Sequence, residues 1–298
     1  MVFVICLINM KILVPAVQLW EQKNQIEHTA RCARICYRSV SKSSENDIKL
    51  INSLLSSKHF SMFRHWSIYA IVENTERNKD ILKYYTTNPY IDYTIFRDKI
   101  FIATNKNFML DIERNFATDF ENDLYNLIVE NEVTGDEFQQ EKVGYNLMRY
   151  TFNVTTQIST SRELNRVSPN NISEESTRYV YDDGTLCKPH WITNEQADEY
   201  TKKGFCNTSP AVTYYLNKCQ NDFNSYKYLI DYYKLNKQDA RGVLPLDTAT
   251  ICAYTYSIKE WKHIINLRYY GITGVPHPNA KIIAGMIKDK LNELGYEI

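Results

Sequence analysis

The chain has no surplus of either charge: 35 Lys and Arg balance 35 Asp and Glu among 298 residues, for a formal net charge of zero. A broad nucleic-acid footprint needs a basic excess on one face, so no nucleic-acid partner is expected. Any anion site must then be built locally from a few aimed arginines. No C-x-x-C pair occurs among the seven cysteines (Cys6, Cys32, Cys36, Cys187, Cys206, Cys219 and Cys252). Their odd number and scattered spacing argue against zinc or a disulfide framework and predict reduced thiols in a cytoplasmic protein without a metal. No window approaches the roughly 20 apolar residues of a membrane-spanning helix. The apolar start, Met1 to Met10, lacks a basic n-region and is interrupted by Asn9, which argues against a cleaved signal peptide. Met10 is an alternative start. Repeats and low-complexity tracts are absent too.

What the chain does have is aromatic bulk, with 23 Tyr, 12 Phe and 4 Trp, as expected of a well-packed protein. Its length can bury a full core. The pattern predicts an α/β fold, a mixed sheet wrapped by helices, in a single domain over residues 1–298. Lys11 to Val17 reads as a first strand, His28 to Tyr37 and Asn46 to Leu55 as helices, and Trp66 to Val72 as an alternating strand. Residues 75–135 are acidic, aromatic and less periodic; they read as a peripheral insertion with a hairpin at Ile91 to Ile102 and a helix at Asp119 to Val129. Tyr150 to Ile158 is a strand. The longest helix runs from Pro210 to Lys234, with Val212, Tyr215, Leu216, Cys219, Phe223 and Tyr226 recurring at helical period, a core or interface stripe. Thr248 to Tyr256 suits either a strand or a buried helix. Ser257 to Arg268 and the segment from Pro278 to Leu294 are helical.

The stretch from Ser161 to Tyr179 concentrates three arginines, three acids and four serines after a strand. Pro169, Asn170 and Asn171 mark it as a loop. Guanidinium and hydroxyl groups crowded there suit a phosphate. A solvated loop with a helix start, Ser173 as cap and Glu174 and Glu175 in the first turn, is the plainer alternative. Upstream, His59 and His65 flank Ser61 at a helix-to-strand junction. They suit either ligand contact or plain packing.

Together these pieces resemble the flavin-dependent thymidylate synthases. Glu174-Glu175-Ser176-Thr177-Arg178-Tyr179 matches the second half of that family's signature, with Arg166 at its first arginine. Ser161-Arg162-Glu163-Leu164 resembles the lead-in, and His59 to His65 resembles the His-x-Ser-x-x-Glu-His element. Arg241 with Leu244-Pro245 resembles the Arg-x-x-Leu-Pro turn. Ser257 to Arg268 followed by His277-Pro278 resembles the closing block. The resemblance implies that dUMP is methylated to dTMP with methylenetetrahydrofolate as carbon donor, reduced FAD as hydride donor and NADPH as reductant. It also implies a homotetramer whose active sites are shared between subunits.

By position, the resemblance assigns dUMP to Glu163, Arg166, Glu174, Ser176, Arg178, Arg241 and Arg268. Arg178 and Arg241 would grip the phosphate, and Arg268 would be the catalytic group facing the pyrimidine. FAD and folate fall to His59, Ser61, Arg166, Ser168, Glu174, Ser257, Lys259 and His263. Three departures stand out. The family's Arg-His-Arg reads Arg166-Val167-Ser168, the Glu of the His-x-Ser element is Arg64, and the closing Asn and Arg are Ser257 and Lys259. Arg64 and Arg162 are candidates to restore the missing charge. Two other readings remain: a relative that binds dUMP or a similar nucleotide without flavin turnover, and a phosphate- or nucleic-acid-binding protein of another kind, against which the neutral charge counts.

Overall fold

The computed structural model describes residues 9–114 and 119–298; most of the apolar start, with Cys6, lies outside them. Ten strands are present among the described residues: β1 (Lys11–Leu13), β2 (Ala16–Trp20), β3 (Ser67–Glu73), β4 (Asp92–Phe96), β5 (Lys99–Asn105), β6 (Glu132–Val133), β7 (Arg149–Gln157), β8 (Ile172–Glu174), β9 (Thr185–Cys187) and β10 (Ala249–Ser257). They form an antiparallel sheet of order β2-β7-β10-β8, a second antiparallel sheet of order β4-β5-β3-β6, and a small parallel pair, β1 with β9.

The first sheet positions the site. β7 and β10 pair along nine residues, with Thr255 opposite Thr151 and Ala249 opposite Gln157. One face is apolar: Phe152, Val154, Tyr254 and Tyr256 bury against Trp261, Ile264, Ile283 and Ile287 of the helices Ile258–Ile265 and Pro278–Glu293. The other face carries the helix Gln25–Ile35, capped by Asn24. Its small buried residues, Ala30, Cys32 and Ala33, let it lie close to the sheet.

That second face is polar inside, and the polarity is satisfied by a chain of hydroxyls and imidazoles. Thr151 and Thr255 meet at 2.6 Å, His28 Nε2 lies 3.0 Å from Thr151, and His65 lies 2.7 Å from Thr255 and 2.9 Å from Ser173. Burial lowers His28 to about 4 and His65 to about 3, with each cation further disfavoured by nearby positive groups. Both rings are neutral packing elements, joined to the hydroxyls that a β-sheet register brings opposite them.

Several sequence expectations are redrawn by tertiary context. The first strand splits at Val14-Pro15 into β1 and β2. Thr248 to Tyr256 is a strand, since β7 and β8 flank it on both sides. Ser173 caps no helix, because its stretch pairs with Ala253 as part of β8. The long helix ends at Asp231, with Val212, Leu216, Cys219, Phe223 and Tyr226 buried and Tyr215 only partly so. Within residues 75–135 lie three of the four strands of the second sheet; Ile100 and Ile102 of β5 and Leu124 of the helix Asp119–Glu130 share a core with Ile68 and Val72 of β3.

Candidate active site

After β8 the chain makes a tight turn held by its own backbone. Ser176 N donates to Cys36 O at 3.2 Å, and the amides of Tyr179 and Val180 donate to Ser176 O at 3.1 and 2.9 Å. The amide of Arg178 donates to Ser176 Oγ at 3.3 Å. The short helix Lys237–Ala240 packs on this turn through three contacts. Lys237 Nζ donates to Tyr179 O at 2.8 Å, Arg178 to Gln238 Oε1 at 3.5 Å, and Arg241 to Thr177 Oγ1 at 3.1 Å. Arg178 and Arg241 are both exposed, and among the described residues neither has a carboxylate within ion-pair distance. Ser176, Arg178 and Arg241 are thus gathered around one turn. Lys237 joins them; it was missed from sequence, although it sits one helical turn before Arg241.

A second cluster stands on the helix Ile158–Leu164, which follows β7. Arg268 Nε donates to Glu163 O at 2.5 Å, and its Nη2 lies 3.1 Å from Glu163 Oε2. Arg166 Nη2 approaches the same oxygen at 3.3 Å. Arg268 is 13% exposed and Glu163 38%. Arg268 rides on a π-helical turn, Asn266–Tyr270, closed by Gly271 at φ 70°. Such a turn redirects side chains relative to the α-helix before it, and such turns recur at functional sites. A Cβ on Gly271 would meet Gly274 O at 2.7 Å, so only glycine fits there.

Glu174 lies between Arg166 and Arg178 in the chain, at the end of β8. Ser161 Oγ donates to its Oε1 at 2.8 Å and Thr250 Oγ1 at 3.1 Å. Burial pushes this carboxyl above the usual range, against the pull of those donors and of Arg162. Among the described residues no hydrogen bond or ion pair links Glu163 or Arg268 directly to Arg178 or Arg241.

The positions expected for flavin and folate are more scattered. His59 and Ser61 are exposed at the start of the 3-10 turn Phe60–His65. Ser168 is exposed, while Val167 packs against the apolar core. Lys259 lies 3.6 Å from Asp92, and His263 is exposed on the solvent side of the same helix. Ser257 is buried as that helix's N-cap: Glu260 N donates to its hydroxyl at 3.3 Å, and Ser257 N donates to Glu260 Oε2 at 2.7 Å. Arg64 Nη1 donates to Asn170 O at 3.0 Å, which puts a guanidinium against the 166–170 loop. Arg162 instead acts on Glu174.

Thiol chemistry has little to work with here. Burial raises Cys32, Cys36, Cys187, Cys219 and Cys252 above the ordinary thiol range, the opposite of an activated nucleophile. Two hollows, of about 760 and 620 Å³, lie beside β2 and along the helix Gln25–Ile35. Neither is lined by Arg178, Arg241 or Arg268. Arg178 and Arg241 are exposed at the surface, whereas Arg268 is mostly buried.

Comparison with known proteins locates the motifs. A UMP/dUMP methylase, PolB from Streptomyces cacaoi bound with 5-Br dUMP, is 14% identical and aligns over 96% of this chain and 93% of that one with a TM-score of 0.45. The same methylase bound with 5-Br UMP aligns over 96% and 92%, at 14% identity and a TM-score of 0.43. No curated protein matches the sequence. Residues 145–282 match the family described as thymidylate synthase complementing protein, a span holding both arginine clusters but not His59 to His65. It is through that segment that the chain is similar to the thymidylate synthase complementing proteins.

Proposed function

We propose that the chain is a flavin-dependent thymidylate synthase that methylates dUMP to dTMP. The observation that carries this reading is the Ser176–Tyr179 turn, where Arg178 and Arg241 face solvent with no carboxylate partner among the described residues. Planar guanidinium groups beside the hydroxyls of Ser176 and Thr177 suit a phosphate monoester, which both can bind through paired oxygens. Arg268, mostly buried and fixed by Glu163, would face the pyrimidine ring and stabilise negative charge developing on its carbonyl edge. Glu174, with Ser161 and Thr250 behind it, would accept from the ribose or orient the arginines. Positioning and electrostatics are what these residues contribute, and no cysteine nucleophile is required.

Reduced FAD, when bound, supplies the hydride, with methylenetetrahydrofolate as carbon donor and NADPH as reductant. The residues fit an anionic cofactor in part. Arg166, Ser168, His59, Ser61, Lys259 and His263 are accessible to it, whereas Ser257 is committed to capping its helix. Arg64 brings a charge to the loop that lacks the family's second arginine, and its buried Nε has no partner. The exposure of Arg178 and Arg241, and the lack of a direct link between the two clusters among the described residues, favour a site completed by a second copy, in a homotetramer.

A second reading has its own support. Val167, in the middle of the altered triplet, faces the core and offers no hydrogen bond. A nucleotide-binding relative without flavin turnover would look the same there. One experiment separates the two: record the absorbance of the purified protein with FAD, then add dUMP, methylenetetrahydrofolate and NADPH and assay dTMP. Flavin absorbance with dTMP formation supports the enzyme. A protein that binds dUMP yet never oxidises NADPH overturns it.

A further inference from the structure

We propose that Arg38, which no motif singles out, is a positioning residue for the Ser176–Tyr179 turn: it fixes Glu175 and cancels its charge, so that the turn can receive a phosphate. The inference rests on the reading above, in which that turn binds the phosphate of dUMP. Two acids, Glu174 and Glu175, immediately precede Ser176, a poor setting for an anion. Burial already disfavours charge on Glu174. Glu175 is handled differently. Its side chain is only 9% exposed, and Arg38 grips both oxygens, Nε donating to Oε2 at 2.9 Å and Nη2 to Oε1 at 2.5 Å. Arg38 Nη1 also lies 3.6 Å from Asp183, which Lys11 approaches at 3.4 Å, so these four side chains form a group of zero net charge.

Arg38 stands just past the helix Gln25–Ile35, and that end of the helix meets the turn at two more points. Cys36 O accepts from Ser176 N at 3.2 Å, and the Tyr37 ring stacks on Tyr179 at 5.3 Å. Tyr179 in turn lies 5.4 Å from the Arg178 guanidinium. The Arg38 backbone has φ 48°, in the left-handed region that suits glycine and costs a residue with a side chain. That cost is offset by the bidentate pair, whose planar fork fixes the carboxylate as well as neutralising it. Without Arg38, a mostly buried carboxylate stands one residue from Ser176 without its counter-charge, and a like charge there repels an incoming phosphate.

The test is equilibrium binding of dUMP and of deoxyuridine, which lacks the phosphate, to the full-length protein by calorimetry in the presence of FAD. Arg38→Ala should weaken dUMP by at least about tenfold and deoxyuridine by less than about twofold. Arg38→Gly relieves the left-handed backbone and should do the same, which serves if the Ala variant does not fold. Adding Glu175→Gln removes the stranded charge and should recover at least about threefold of the lost dUMP affinity. Unchanged dUMP binding in a folded Arg38 variant overturns the inference, as do equal losses for the two ligands, which mark a merely structural role. A double variant no better than Arg38→Ala overturns the charge cancellation. In each of these cases the preference of the wild type for dUMP still stands, and the functional reading with it. A wild type that does not prefer dUMP to deoxyuridine overturns both.

Discussion

Replacing Arg178 by Ala separates a binding role from a structural one. This side chain is exposed, its one side-chain hydrogen bond among the described residues is the 3.5 Å approach to Gln238, and it stacks loosely on Tyr179 at 5.4 Å. Those contacts are weak, so truncation should change stability by no more than about 0.5 kcal/mol, the range of ordinary surface substitutions. For a chain of this size that is about 1–2 °C in Tm. If the guanidinium grips phosphate, the same truncation removes a charge-assisted bond worth roughly 1.5–3 kcal/mol and weakens dUMP about 10- to 150-fold.

The assay compares dUMP with deoxyuridine, which lacks the phosphate, on wild type and Arg178→Ala, with Tm measured alongside. Wild type should strongly prefer dUMP, and the variant should lose most of that preference while binding deoxyuridine and FAD almost as before. Added salt should weaken dUMP binding to the wild type more than to the variant. Equal losses for dUMP and deoxyuridine would refute the phosphate assignment. So would equal losses for dUMP and FAD.

Three further outcomes follow from the packing. Burial holds the folded-state pKa of His65 at about 3 and of His28 at about 4, below the ordinary 6.5. The unfolded chain therefore takes up the extra protons first, so stability holds above about pH 6.5 and falls below it, by up to about 1.4 kcal/mol per pH unit for each ring. Urea melts from pH 7.5 down to about 4.5 would detect this slope, and a flat profile would refute the neutral buried pair. Gly271→Ala puts a Cβ 2.7 Å from Gly274 O at a left-handed residue, so it should cost about 1–3 kcal/mol and depress kcat more than the apparent dUMP affinity through Arg268. Unchanged turnover in a folded variant would detach the π-helical turn from the site. Phe152→Ala empties a fully buried position against Trp261 and should destabilise by about 3–5 kcal/mol in denaturant melts.

How far the sequence reached depends on what kind of signal each residue carries. Val212, Leu216, Cys219 and Phe223 declare a helix by period alone, and the helix is there. Thr248 to Tyr256 could not be decided by period, since a run buried on both faces reads alike as helix or strand; pairing on both sides settles it. Ser176, Arg178 and Arg241 were legible through the motifs that resemble a known family, and the structure brings Arg241 onto Thr177 of the same turn. Lys237 was not, since a lysine on a short helix looks like solvated charge until its ammonium is seen on Tyr179 O. Ser257 was placed at a cofactor position by the resemblance, and in the structure its hydroxyl caps a helix in a box that Glu260 completes, a signal that Ser followed three residues later by Glu also carries in the sequence.

The altered triplet carries a similar lesson about charge. Read in sequence, Arg166-Val167-Ser168 lacks one cation, and Arg64 and Arg162 were equal candidates to replace it. In space they are not equal. Arg162 is exposed and bears on Glu174, whereas Arg64 reaches Asn170 O from a different segment of chain. Among the described residues Arg64 has no carboxylate within ion-pair distance, and its guanidinium otherwise lies 5.2 Å from the Tyr90 ring. A guanidinium held by a carbonyl and a ring keeps its full charge for whatever anion approaches the loop. In a chain of zero net charge, Arg64, Arg178 and Arg241 have no acid partner among the described residues, and their placement beside two loops is what the neutral composition concealed.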